Sequence, residues 1–236
     1  MFLQPSANFG NGTFPMSLLT PLQKRIISIL GKESLFSKGF FLTGGTALAE
    51  FYLKHRLSGD LDFFTEVDGL IDQVIPKVEK SLNKEKIKIE ITKRFDTFVE
   101  MYASKGKETV KLDFAKDAPF RLKPLVRNKK LGILVDNKLD IACNKFSALF
   151  DRHDTKDFVD IYFLCHEKEF TFGKIYRNAK KKHIGLDDYW LAVSLRFVEE
   201  IDKLPKMLKP LGIEDLKNFY RKKIKDITHK TNPTSN

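Results

Sequence analysis

The sequence predicts an α/β fold, a sheet flanked by helices over residues 21–135, followed by a helical half over residues 136–230. Three observations predict it. Residues 40–66 read as strand, glycine turn, helix, short turn, strand. Residues 87–115 carry short runs that alternate apolar and polar side chains, the period of half-buried strands. After Val135 the apolar spacing changes to the three-and-four repeat of helices. With 236 residues, 42% hydrophobic and 31% charged, the chain has a globular composition and the length for a real core.

Residues 1–20 are expected to form an arm, because Met1 to Phe14 mixes Pro, Ser, Asn and Gly without periodicity. From Pro21, the positions Leu22, Ile26, Ile27 and Leu30 mark an amphipathic helix ending near Gly31. Phe40, Phe41 and Leu42 form a run too short for a helix, so they read as a buried strand stopping at Gly44-Gly45. Leu48, Phe51 and Tyr52 then share a helix face, capped by Thr43 or Thr46 and broken at Ser58-Gly59. From Asp60 the period is two: Leu61 and Phe63 point one way, Asp60 and Asp62 the other. A helix is expected around Leu70 to Val78, with Pro76 shortening or kinking it. Strands follow at Ile87–Ile91, Phe95–Tyr102 and Thr109–Ala115, then a short one at Leu131–Val135. The helical half has breaks at Gly173, Gly185, Pro205, Pro210 and Gly212, and residues 231–236 are expected to be a disordered tail.

The chemistry concentrates in the 40–66 unit. Side-by-side carboxylates on one strand face repel one another unless water or a shared cation intervenes, and a divalent metal removes the conflict. A Gly-Gly turn opening a helix exposes backbone N–H groups to an anion, so a phosphate can sit beside that metal. Alone, Asp-x-Asp is commonly a solvated strand face and Gly-Gly a simple turn; their order and spacing here are more specific. In the third long strand Lys111 and Asp113 share the face opposite Val110, Leu112 and Phe114, which makes Asp113 a candidate third carboxylate.

Gly44-Gly45-Thr46-Ala47-Leu48, followed by Arg56-x-Ser58-x-Asp60-Leu61-Asp62-Phe63-Phe64, resembles the AbiEii-type nucleotidyltransferase-like toxins of abortive-infection and type IV toxin–antitoxin systems. These lie within the DNA polymerase β-like nucleotidyltransferase superfamily. A second block carries the same resemblance: Lys145, Arg152, then Lys156-Asp157 with Asp160 three residues on. The two blocks place the resemblance over roughly residues 38–164. It implies a mixed sheet, an active site in the cleft between the two halves, and Mg²⁺- or Mn²⁺-dependent transfer of a nucleoside monophosphate from an NTP to a hydroxyl. Asp60, Asp62 and Asp113 would hold metal, with Asp113 also able to deprotonate the acceptor. Gly44, Gly45, Thr46 and Ser58 would contact the nucleotide, with Arg56 and Lys145 as counter-charges. Asp160, or Asp157 in its place, would complete the site by holding a basic group or the metal shell. An interdomain salt-bridge set of Lys145, Arg152, Asp157 and Asp160 is the alternative, and for Arg152 and Asp157 it is an equal reading.

The resemblance further implies tRNA or another nucleic acid as acceptor and a cognate antitoxin as partner. The excess of 42 basic over 31 acidic residues, +11 in all, favours a polyanionic partner. Solvated helix faces are the default reading of Lys180-Lys181-Lys182-His183 and Arg221-Lys222-Lys223, which could grip a phosphate backbone if the acceptor is RNA. Two cysteines, Cys143 and Cys165, without metal-ligand spacing fit a reducing cytoplasm. No stretch approaches the roughly 18 apolar residues needed to span a bilayer, and no secretion signal is visible. Two rival classes remain at this stage. One is a metal-dependent nuclease using Asp113 with Asp136-x-Lys138, and the other is a non-catalytic RNA- or partner-binding module.

Overall fold

The computed structural model describes residues 17–118 and 120–231; the expected arm therefore falls largely outside the described residues, as does the tail from 232. Seven strands form one mixed sheet, in the spatial order Lys88–Phe95, Phe98–Lys105, Glu108–Lys116, Leu61–Thr65, Phe41–Thr43, Ile133–Val135, Val126–Asn128. Helix α1 (Pro21–Leu30) opens with a reciprocal cap between Thr20 and Gln23, and Leu22, Ile26, Ile27 and Leu30 form its buried face. A short helix that periodicity does not reveal, α2 (Ser34–Gly39), leads into β1 (Phe41–Thr43).

Gly44 begins α3 (Gly44–Leu48), which runs on as a π-helical turn over Ala49–Leu53 and stops at Lys54, in the left-handed conformation at φ 51°. The helix thus ends before Ser58-Gly59. Neither threonine caps it. Thr43 Oγ1 instead donates to Asp136 Oδ2 at 2.8 Å, and Thr46 Oγ1 donates to the Asp60 carbonyl. β2 (Leu61–Thr65) pairs antiparallel with β1 and parallel with β5 (Glu108–Lys116), and Leu61, Phe63 and Thr65 are its buried face.

Helix α4 (Leu70–Lys84) accommodates Pro76 without breaking. β3 (Lys88–Phe95) and β4 (Phe98–Lys105) form a hairpin against β5, with β4 three residues later than its aromatic run suggests. The two short strands β6 (Val126–Asn128) and β7 (Ile133–Val135) complete the far edge.

The helical half comprises α5 (Lys138–Arg152), α6 (Thr155–Cys165), α7 (Phe172–Lys182), α8 (Asp188–Leu195) with a 3₁₀ extension, and α9 (Ile213–Thr231). His153, at φ 56°, breaks what reads as one continuous charged helix, and the Asp154 side chain caps α6. One apolar core runs from Ile26 and Phe63 under the sheet through Phe146, Phe158 and Tyr220 among the helices. The two halves are also stitched by backbone. Leu57 N–H donates to the Lys206 carbonyl, and Leu208 N–H to that of His55, each at 2.8 Å.

Candidate active site

The sheet register assembles the carboxylates. Thr43 lies opposite Asp62, Asp62 opposite Asp113, and Asp113 opposite Glu100, one row across four strands. Asp60 precedes β2; its carbonyl is held by Thr46, while the buried Gln23 amide ties down the preceding Ser58 and Gly59 carbonyls at 3.2 and 2.9 Å. Gly44, at φ +70°, sits directly over Asp62, and a Cβ there would fall 2.0 Å from Asp62 Oδ2. Only glycine lets the turn lie this close to the carboxylate.

Burial pushes the Asp62 carboxyl up to about 6, with Asp113 and Asp60 adding to the rise and Lys145 opposing it. Asp113 is likewise raised, by burial first, although Lys111 donates to its Oδ2 at 2.6 Å. Its other oxygen, Oδ1, is buried without a partner. Lys111 stays protonated against the effect of burial because Asp113, Asp60 and Asp62 all favour its charge.

Beneath the glycines lies a buried ion network. Asp160, fully buried, accepts from Arg56 Nε and Nη2 at 2.7 Å each; His55 Nε2 lies 2.7 Å away and Lys145 Nζ 2.9 Å. Burial alone would raise the Asp160 pKa, yet Lys145 and Arg56 hold it well below the usual carboxylate range. Asp157, also fully buried, takes Lys145 Nζ at 2.8 Å and Arg152 Nε at 2.7 Å. Burial drives the His55 pKa down, so the imidazole is neutral near pH 7. Three cations, Arg56, Lys145 and Arg152, therefore meet two carboxylates, leaving a positive excess at the cleft floor.

A cavity of about 310 Å³ opens beside them, and of the candidate residues Gly44, Gly45, Asp62, Lys145 and Arg152 line it. Thr43, Gly44, Gly45 and Asp62 contribute from β1, α3 and β2, and Lys145 and Arg152 from α5. Arg56 and Thr46 do not reach the cavity. Arg56 is 1% exposed with its fork engaged by Asp160, and its Nη2 lies 2.7 Å from where a Gly45 Cβ would be. Thr46 is 2% exposed and bound to the Asp60 carbonyl. Both side chains are thus buried under the turn and engaged within the protein. Ser58 Oγ sits beside Gly45, 3.0 Å from the same Cβ position.

The rival acid-acid-lysine set is not assembled. Asp136 is buried between Thr43 and Arg121, and Lys138 pairs with Glu167 at 2.8 Å. The basic clusters are partly spoken for: Lys182 is buried on Asp140, and Arg221 bridges Glu199 and Glu214.

The family model for the AbiEii nucleotidyl transferase toxin of type IV toxin–antitoxin systems matches residues 28–225. The chain belongs to this family. An uncharacterized protein of Aquifex aeolicus (strain VF5), aq_aa25, is 31% identical over 193 residues, covering 79% of this chain and 87% of that protein. Among solved structures, JHP933 from Helicobacter pylori aligns with a TM-score of 0.53 and 22% identity over 90% of this chain and 94% of its own. A second H. pylori structure, described provisionally as a nucleotidyltransferase, aligns with a TM-score of 0.55 and 20% identity over 92% and 100%. At these identities the two structures show the shared fold.

For an AbiEii nucleotidyltransferase, a divalent cation belongs beside the carboxylates, and this site fits one in part. Asp62 and Asp113 are adjacent, mutually repelling, and leave a buried carboxylate oxygen unpaired. Among the described residues, no set of three or more His, Cys, Asp or Glu side chains converges as a ready-made metal cage. Asp60, just before β2, is close enough to raise the pKa of both carboxyls. No helix among the described residues is long and apolar enough to cross a membrane.

The rest of the AbiEii cavity is missing from the motifs. Asn144, Ala148 and Asp151 line it from the face of α5 that carries Lys145, at a spacing that helical periodicity from Lys145 would have supplied. Asp117, beyond the end of β5, and His183, at the end of α7, arrive by tertiary folding and leave no local signal.

Proposed function

We propose that the chain transfers a nucleoside monophosphate from an NTP, with Mg²⁺, to a hydroxyl acceptor on tRNA, as a cytoplasmic toxin restrained by a cognate antitoxin. The observation that carries this reading is that Asp62, with Asp113 beside it in the sheet register, borders the same cavity as Lys145 and Arg152. A carboxylate pair for a cation and side-chain cations for a triphosphate thus meet around one space.

The roles follow from position. Gly44 and Gly45, bare of side chains, admit the phosphates close to the backbone. Lys145 and Arg152 balance phosphate charge, while Asp157 and Asp160 hold them there and keep the guanidinium of Arg56 packed beneath Gly45. Asp62 and Asp113 would hold the cation, with Asp60 close by. When bound, that cation neutralises the triphosphate and lowers the barrier to attack at the α-phosphorus. The acceptor oxygen forms a new bond to that phosphorus as the bond to pyrophosphate breaks. The acceptor proton goes to Asp113, whose raised pKa suits a base.

Incubating the chain with each α-labelled NTP, Mg²⁺ and total tRNA tests the proposal. Label should enter tRNA with the native protein and not with Asp62→Asn. Absence of incorporation from all four NTPs, with NTP binding intact, would remove tRNA as acceptor; absence of NTP binding would remove transfer itself.

A further inference from the structure

Lys111 does not line the cavity, yet it lies two residues before Asp113 on the same face of β5. Its Nζ donates to Asp113 Oδ2 at 2.6 Å and lies 3.8 Å from Glu100 Oε2. Glu100 is the cross-strand neighbour of Asp113 on β4, on the side away from Asp62. The side chain is 26% exposed. Two carboxylates flank a long side chain: Asp113, and Glu100 at the outer end of the row, whose Oε1 also takes Thr92 Oγ1 at 2.8 Å and Lys93 Nζ at 3.3 Å.

We infer that Lys111 is a built-in counter-ion for the catalytic carboxylates, which a divalent cation must displace toward Glu100 before it can bind Asp62 and Asp113. The inference rests on the proposed metal-dependent transfer. In the free protein the ammonium relieves repulsion along the row, as a cation would. When a divalent ion arrives, a lysine charge left at 2.6 Å from Asp113 would repel it, and the nearby Glu100 carboxylate gives that charge somewhere to go. Free cations are then poor competitors. A cation delivered on a triphosphate brings its own anionic ligands and gains Lys145 and Arg152 as well, so nucleotide and metal enter together.

The test is Mn²⁺ binding to the full, EDTA-treated chain without nucleotide, followed by electron paramagnetic resonance of free Mn²⁺. Lys111→Met should bind Mn²⁺ at least about tenfold more tightly than native protein, and Lys111→Arg should stay near native. Glu100→Gln should weaken binding in the native background and have less effect in the Lys111→Met background, the signature of coupled residues. A thermal melt guards against misfolding: metal-free Lys111→Met should melt lower than native and gain more from Mn²⁺. Mn²⁺ binding that Asp62→Asn abolishes, but that is no tighter in Lys111→Met, would overturn the role of Lys111 and leave metal-dependent transfer standing. If native and variant forms alike show no Mn²⁺ binding sensitive to Asp62→Asn, the metal reading falls, and this inference with it.

Discussion

Replacing Asp62 by Asn should stabilise the metal-free protein, and the gain should depend on pH. Asp62 has an ordinary carboxyl value of 3.8 and is raised to about 6 by burial, helped by its neighbouring carboxylates. A carboxyl with a higher pKa folded than unfolded binds its proton more tightly in the folded state. That stabilisation is complete below the unfolded value and disappears as the pH rises through about 6. Above it, the folded chain carries an unfavourable charge that Asn lacks. The shift of about 2 pKa units corresponds to about 3 kcal/mol. Asp62 faces the cleft and is only half-buried, so solvent screening reduces this to about 1–2 kcal/mol. For a chain of this length that is roughly 2–8 °C in Tm. Urea or thermal unfolding in EDTA, at pH 8 and pH 4, measures it. Asp62→Asn should be the more stable at pH 8 and equal to native near pH 4. Equal stability at pH 8, or a gain unchanged at pH 4, would refute the reasoning.

Other expectations concern the glycines and the buried network. Gly44→Ala puts a Cβ 2.0 Å from Asp62 Oδ2 at φ +70°; transfer should be lost and stability should fall by more than about 1 kcal/mol on denaturant titration. Asp160→Asn leaves Arg56 and Lys145 charged in the interior, and should cost about 3–5 kcal/mol, read as a Tm drop of roughly 6–20 °C. Since the Asp160 pKa is depressed when folded, its stabilisation is present above the usual carboxyl range and is lost as the pH falls through the folded value. Acid unfolding of Asp160→Asn should accordingly be shallower than native. Arg152→Gln, at a side chain 58% exposed, should change stability by no more than about 1 kcal/mol while raising the KM for NTP in steady-state transfer assays.

The sequence placed Asp62 and Asp113 on strand faces because alternation fixes which residues share a face, and Gly44 at a tight turn because a glycine pair ends the apolar run before a helix. Their adjacency depends on β2 pairing parallel with β5, a register that no local signal carries. Arg56 and Thr46 read as ligands because sequence shows charge and polarity but not depth; the fold buries both beneath the turn they support. The break at His153 was invisible for a related reason. A non-glycine residue in the left-handed conformation is tolerated when the Asp154 cap and the Lys145–Asp157 pair hold the two helices together. Asp117 and His183 meet in the cavity from separate elements, so periodicity along either one cannot announce them.

The union of Arg56 with Asp160 also sets an order in time. The two residues are 104 positions apart, about 5–20 s of ribosomal synthesis at 5–20 residues per second. Until Asp160 emerges, Arg56 lacks the carboxylate that makes its burial under Gly45 tolerable, and the floor of the cleft cannot close. The backbone pairing of His55 and Leu57 with Lys206 and Leu208 postpones completion further. A chain cut short by a stalled ribosome or a premature stop before this point therefore keeps its Gly44 and Asp62 motifs but lacks an assembled cleft. An enzyme able to harm the cell that makes it thus stays inert for most of its own translation.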